Sequence, residues 1–331
     1  MERSKLGRTQ LEVSRLGLGG LFVASALSDF EQARRTVREA LDQGINVIDT
    51  APTYYNSEEV LGKALAGYDG PLVFSTKLGG KPKPFDPTNK DCLRQSFEDS
   101  LRLLQRDHID VLFVHEPDRP QQYDWWTDIH TVEGVVLEVL HELRDAGRIS
   151  HFGLGGTTAY EMAHLCRSGK FSVVLTAFNY SALYREAALE VIPAAVANDM
   201  GIVVGSPLHQ GALARRFDRE VIERARWMSQ ARRDQFYELY NFVDECGLPL
   251  AELGLRFVLS NPDVHCILTG ARSPEEVKQN VAAIDKGPLP ADILQRLDEI
   301  AAKVPYRPFE EPFGIGWILG APQNYKGTGL P

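Results

Sequence analysis

A carboxylate, a phenol, an ammonium and an imidazole stand at the ends of three successive apolar runs in this chain. Asp49 and Tyr54 follow Asn46-Val-Ile, Lys77 ends Leu72-Val-Phe-Ser-Thr-Lys77, and His115 ends Ile109-Asp-Val-Leu-Phe-Val-His115. Runs of this composition read as strands, and in a closed barrel of parallel strands the strand ends converge on the face where catalysis is done. Four such groups meeting there can move a proton to a carbonyl oxygen. A tyrosine titrates near ~10 and holds its proton tightly at neutral pH. Lys77 beside it is expected to lower that value, and Asp49 to keep Lys77 charged and directed. A neutral His115 would orient the carbonyl, a task worth roughly 3 kcal/mol. Taken singly, Asp49 reads as an Asx-turn, Tyr54 as a loop aromatic, Lys77 as a snorkelling amine and His115 as a hydrogen-bonded core histidine. Their joint occurrence at successive strand ends points to catalysis.

Positioning them requires a regular scaffold, and the chain alternates accordingly. A hairpin is expected over residues 6–14. Strands follow at 15–20, 46–50, 72–78, 109–115, 150–155, 172–178, 202–206 and 264–270. Helices are expected at 30–43, opened by a Ser28/Glu31 capping box, and at 57–66, 91–105 and 132–146. The second half continues with a helix capped by Thr158 and Glu161, helices at 186–200 and 249–259, and one capped by Ser273 and Glu276. Eight such units fit an α/β fold of the (β/α)8 TIM-barrel type, with an open doubly wound sheet as the alternative. One barrel domain then spans 1–331, with the barrel at about 15–285 and a closing helix and tail at about 289–331. Residues 208–247 form a long, helical insertion after the seventh strand, 81–89 a Pro-rich loop, and 117–130 a loop carrying Trp125 and Trp126. Phe309, Phe313 and Trp317 are costly to leave in water, so part of the tail is expected across the catalytic face.

Composition narrows the function classes. A chain with 44% hydrophobic and 24% charged residues can bury a large core, and a net charge of −9 without a basic stripe argues against nucleic acid. The four cysteines lack metal or redox spacing and read as reduced thiols, and no metal site is expected. No run nears the roughly 18 apolar residues of a membrane span, and no signal-type segment opens the chain, so a cytoplasmic protein is expected.

The motifs Asp49-Thr-Ala-x-x-Tyr54-x-x-Ser57-Glu58-x-x-Leu61-Gly62, Ser75-Thr-Lys77, Asp110-Val-Leu-Phe-Val-His115 and Gly270-Ala-Arg272 resemble the aldo-keto reductase family, from about Lys5 to Val304. The resemblance implies Tyr54 as proton donor, supported by Lys77, Asp49 and His115. It also implies a dinucleotide across the barrel mouth, since no Rossmann glycine fingerprint is present. The expected cofactor contacts are Gly155, Gly156, Thr176, Ser206, Leu208, Gln210, Gly211, Gly270, Arg272, Glu276 and Asn280. Arg272 at a helix start suits an adenosine 2′-phosphate, so NADP(H) is favoured over NAD(H).

Four positions depart from the family pattern. Gly155-Gly156 replaces Ser-Asn, Leu175 with Thr176 replaces a glutamine, Gly205 replaces an aromatic, and Tyr55 stands where glycine is usual. Asn179 and Tyr180 are alternative nicotinamide contacts. Substrate contacts are expected from Phe22, Trp125, Trp126 and His209. The leading reading is reduction of a small aldehyde, ketone or sugar. An aldose 1-dehydrogenase and a non-catalytic regulatory subunit are the alternatives. Membrane partners are not expected, and a homo-oligomer is left open.

Overall fold

Which faces of the strands meet inside the cylinder decides what the barrel can do. The computed structural model describes residues 1–119, 122–223 and 228–305. Two short antiparallel strands, β1 (Arg3–Lys5) and β2 (Glu12–Ser14), precede the barrel, pairing Arg3 with Ser14. Eight parallel strands then close on themselves: β3 (Leu16–Gly19), β4 (Val47–Asp49), β5 (Val73–Leu78), β6 (Ile109–His115), β7 (Ile149–Gly156), β8 (Val173–Ala177), β9 (Gly201–Gly205) and β10 (Cys266–Gly270). Neighbours follow chain order, and β10 pairs with both β9 and β3. The expected TIM barrel is therefore the observed fold, and the open-sheet alternative is excluded.

Alternate residues of each strand fill the cylinder. Val47, Val73, Val111, Phe113, Val173, Leu175, Val203, Cys266 and Leu268 form an inner core. Ile48, Phe74, Leu112, Val174 and Val204 belong to a larger core shared with the surrounding helices. The β1–β2 hairpin contributes Leu6 and Val13 to the inner core. It therefore plugs the end opposite the strand C-termini, leaving the C-terminal end as the mouth.

The helices behave largely as their caps dictate, with three differences. In α1 (Phe30–Asp42) the cap is Asp29, whose carboxylate accepts from Gln32 N, in place of the expected Ser28 box. α2 (Ser57–Ala64), α3 (Lys90–Leu104, capped by Asn89) and α4 (Val135–Asp145) follow as expected. α5 (Tyr160–Arg167) lacks the expected Thr158 cap: its N-cap position is Ala159, and Asp118 binds the amides of Thr157 and Thr158. The expected helix at 186–200 is two pieces, α6 (Glu186–Leu189) and α7 (Val191–Val196). Pro193 accounts for the break, since its ring excludes a helical carbonyl at Leu189, four residues earlier. The insertion after β9 holds a 3-10 turn (His209–Gly211), α8 (Asp218–Ile222) and α9 (Gln230–Cys246). α10 (Leu250–Leu259), α11 (Pro274–Asp285) and α12 (Ala291–Ala301) complete the set, and α11 keeps its Ser273 cap. The tail expected across the catalytic face lies outside the described residues.

Candidate active site

Strand parity brings the acidic and basic groups together. Asp49 shares the inward face with Val47, Ser75 and Lys77 with Val73, and His115 with Val111 and Phe113. Asp49, Lys77 and His115 are all buried, at 4, 2 and 8% exposure. Lys77 Nζ donates to Asp49 Oδ2 and to the Thr50 carbonyl, each at 2.6 Å. The other carboxylate oxygen, Asp49 Oδ1, accepts from Ser75 Oγ at 2.7 Å. Burial opposes the charge on Lys77, but Asp49 outweighs it, with help from Tyr54, so the ammonium is held above its ordinary value.

Tyr54 reaches this pair from the loop before α2, and the motif residues around it explain how. Ser57 Oγ donates to the Gly20 carbonyl at 2.6 Å and lies 2.8 Å from Thr50 Oγ1. Glu58 accepts from Thr76 Oγ1 at 2.7 Å, with burial raising its carboxyl above the usual range. Both bonds pin the first turn of α2 to the barrel strands. Tyr55 adopts φ +53°, the left-handed conformation that favours glycine, which accounts for its departure from the family pattern being the costly choice. The Tyr54 ring packs edge-on to His115 with centroids 6.0 Å apart, and Lys77 Nζ lies 4.9 Å from the Tyr54 ring centre.

The expected lowering of the Tyr54 pKa is not what the folded site does. Burial pushes the phenol above its ordinary 10.0, and Lys77 only partly offsets this, while Asp49 and Glu116 add to the rise. The sequence suggested the favourable neighbour but not the desolvation. His115 behaves as expected: burial, then the charges of Lys77 and Arg119, hold its pKa well below 6.5, so the imidazole is neutral. Its Nδ1 has no hydrogen-bond partner among the described residues.

The opposite arc of the mouth is lined by small residues. Gly155, Ala177, Gly205 and Gly270 end the inward faces of β7, β8, β9 and β10. A side chain on Gly155 would stand 3.7 Å from Lys77 Cε and 3.5 Å from Phe113 Cβ. One on Gly205 would press within 3.3 Å of Leu175 and Ala177. Past β9, Ser206, His209, Gln210 and Gly211 all take positive φ, and the His209 amide donates to the Ser206 carbonyl within the loop. Leu208 lies in the same loop, and its carbonyl accepts from Gly211 N and Leu213 N. At the start of α11, Arg272 pairs with Glu276 at 2.8 Å, and Asn280 donates to Thr269 Oγ1. Phe22 lies against Gly270.

Several expected contacts fall elsewhere. Thr176 has outward parity with Val174 and is fully buried, so its side chain faces the helix layer and not the mouth. Gly156 is also outward, where any side chain would strike Met162 and Asp118. Trp126 donates to the Pro117 carbonyl and packs on Phe171, away from the four groups. Trp125 is buried and donates to the His115 carbonyl at 3.1 Å, supporting the histidine from behind. His209 is enclosed by Tyr184 and Phe178, with 1% exposure, so it does not line an open mouth. Tyr180 turns toward α10, where its hydroxyl accepts from Asn261. Asn179 is buried.

The roles of four residues escaped the sequence reading. Ser75 sits two positions before Lys77, and the two-residue strand period could have revealed it. Asp118 ties the end of β7 to the β6 loop through Thr157 and Thr158. Glu116 and Arg119 follow His115 closely, and their charges act on Tyr54 and His115 respectively.

A sequence profile of the Aldo/keto reductase family matches residues 15–302. The chain belongs to the aldo-keto reductase family. It is 29% identical to pyridoxal 4-dehydrogenase of Microbacterium luteolum, covering 85% of this chain and 92% of that one. It is 27% identical to NADH-specific methylglyoxal reductase of Escherichia coli strain K12, over 86% of this reductase and 94% of the relative. L-galactose dehydrogenase of Arabidopsis thaliana is 26% identical, with 98% and 99% covered. Among solved structures, aldo-keto reductase AKR11C1 from Bacillus halodurans (holo form) superposes with a TM-score of 0.74 at 27% identity, covering 93% of this chain and 98% of that one. This reductase is accordingly an NAD(P)-dependent oxidoreductase acting on a small molecule. The small-residue arc beside Lys77 leaves space that fits a flat ring. Among the described residues, no helix is long and apolar enough to cross a membrane.

Proposed function

We propose that this reductase interconverts a carbonyl and an alcohol on a small aldehyde, ketone or sugar, with Tyr54 exchanging the proton. The observation that carries this reading is the contact set around Lys77: bonds of 2.6 Å to Asp49 and Thr50, with the Tyr54 ring 4.9 Å away and at right angles to His115. A bound nicotinamide supplies or receives the hydride at its C4. Tyr54 gives its proton to the carbonyl oxygen as negative charge develops there. Lys77, kept charged by Asp49, stabilises the phenolate left behind. Neutral His115 steadies the oxygen by hydrogen bonding without competing as a proton source.

Cofactor contact is assigned to Gly155, Gly205, Gly270, the Ser206–Gly211 backbone (Leu208 and Gln210 included) and the Arg272, Glu276 and Asn280 face of α11. Arg272 offers the cation for a 2′-phosphate, which supports NADP(H). Its pairing with Glu276 opposes that, since the pair must open or share the phosphate. NADP(H) preference should therefore be modest, with NAD(H) also accepted.

Oxidation of an aldose at its anomeric carbon is the second reading, supported by the near full-length similarity to L-galactose dehydrogenase. The raised phenol pKa separates the two directions. A protonated Tyr54 sustains reduction at neutral pH, whereas oxidation needs the phenolate and should accelerate with rising pH. Tyr54→Phe tests the assignment. Turnover in either direction should fall by about 10³-fold while cofactor binding, read by fluorescence quenching, persists. Turnover close to wild type would remove Tyr54 from the mechanism.

A further inference from the structure

The segment that leaves β6 is tied down at every residue from His115 to Asp118. The His115 carbonyl accepts from Trp125 Nε1 at 3.1 Å, and the Pro117 carbonyl from Trp126 Nε1 at 2.9 Å. The alternate residues bond to β7 and the residues just past it. Glu116 N donates to the Gly155 carbonyl at 2.7 Å. Asp118 Oδ2 accepts from the amides of Thr157 and Thr158 at 2.9 and 2.6 Å. Asp118 is 4% exposed, and its other oxygen, Oδ1, has no hydrogen-bond partner among the described residues. That oxygen fills the space beside Gly156, where an added Cβ would stand 2.5 Å from it. The carboxylate cannot swing aside without losing both amide bonds, so glycine at 156 and aspartate at 118 belong together.

These bonds take no part in the proton-transfer scheme, yet they join two sides of the mouth. His115 pairs in register with Gly155 across β6 and β7. One carries the imidazole; the other faces Lys77 and opens the floor assigned to the nicotinamide. A strand that ends in two glycines has wide conformational freedom, and fixing it costs entropy, either in folding or at the moment of binding. Charge-assisted bonds from a buried carboxylate to two successive amides suit the first course. Resting on the assignment of Gly155 to the cofactor, we propose that Asp118 is a positioning residue that locks the glycine end of β7 to the His115 segment before the nucleotide binds. The nucleotide then meets a floor already ordered, at a fixed distance from the imidazole. Trp126, set back from the four groups, braces the same segment through Pro117.

The test uses the full-length protein and needs no carbonyl substrate. Wild type, Asp118→Asn, Asp118→Ala and Gly156→Ala are compared by hydrogen exchange of the free protein, by thermal melts, and by titration with NADPH and with NADH. Asparagine keeps an oxygen for both amides, whereas alanine keeps none. Asp118→Ala should speed exchange at Thr157 and Thr158 and weaken both nucleotides by about 10-fold, the loss expected when the competent strand end is populated about a tenth of the time. Asp118→Asn should stay close to wild type in both measurements. Gly156→Ala, whose Cβ displaces the carboxylate, should reproduce the alanine result by a separate route, and it decides the matter should Asp118→Ala not fold. Faster exchange with nucleotide affinity unchanged would make the lock structural alone and overturn the proposal. Unchanged exchange at the two amides overturns it as well. A wild-type protein that binds neither nucleotide overturns the cofactor assignment itself, and the positioning role with it.

Discussion

The two arcs of the barrel mouth are built on opposite plans. β4, β5 and β6 end in inward polar side chains: Asp49, Ser75 and Lys77, which are bonded to one another, and His115, whose backbone carbonyl is held by Trp125. β7 to β10 end in Gly155, Ala177, Gly205 and Gly270, which offer space and backbone. The first arc does its work through the identity and charge of side chains; the second does it through their absence. Substitutions should therefore fail differently in the two arcs.

The largest effect is expected in the polar arc. Asp49→Ala strands the Lys77 ammonium at 2% exposure without its counter-ion, which should lower stability by about 3–5 kcal/mol. Turnover should fall with it, as Lys77 loses its direction toward Tyr54. Denaturant unfolding and steady-state kinetics measure both, and a stability within about 1 kcal/mol of wild type would mean the pair behaves like an exposed one. In the glycine arc, Gly155→Val fills space beside Lys77 and Phe113 without removing any bond. We expect nicotinamide affinity to weaken by more than about 10-fold, equivalent to roughly 1.4 kcal/mol, with little change in melting temperature. Unaltered affinity would show that the ring does not use this face.

A smaller effect follows at the edge of the same arc. Arg272→Ala should weaken NADPH relative to NADH by less than about 10-fold, since an exposed cation already paired with Glu276 gives modest energy. Titration of both nucleotides decides it, and an equal loss for both would argue against any phosphate contact. The least effect concerns pH. The His115 pKa is depressed by burial, so its contribution to stability is present above 6.5 and is lost as pH falls below 6.5 toward the folded value, because the unfolded chain takes the proton first. His115→Gln should therefore lose less stability than wild type between pH 8 and pH 5, as followed by thermal melts.

Much of this was legible in the chain, and the failures have separate physical causes. Short apolar runs alternating with helical patterns marked all eight barrel strands, and Ser273 marked the start of α11. Asp29 displaced Ser28 as a cap because two adjacent residues could both serve and only the backbone path chose between them. Thr176 and Gly156 were misplaced for a different reason. Strands of a parallel barrel are buried on both faces, so Val173-Val-Leu-Thr-Ala177 shows no alternation to mark the inward side. His209 was misjudged because polarity in a loop suggests exposure, whereas the aromatic rings of Tyr184 and Phe178 enclose it.

The order of residue types along the chain was enough to specify an eight-fold strand–helix alternation and the four groups proposed to handle the proton. Covalent sequence carries those because strand propensity and strand-end position are local properties. Folding alone decided the electrostatic state of the site. Whether Tyr54 gains more from Lys77 than it loses to desolvation depends on distances between residues remote in sequence and on how much water the closed barrel excludes, and neither quantity exists until the cylinder has formed.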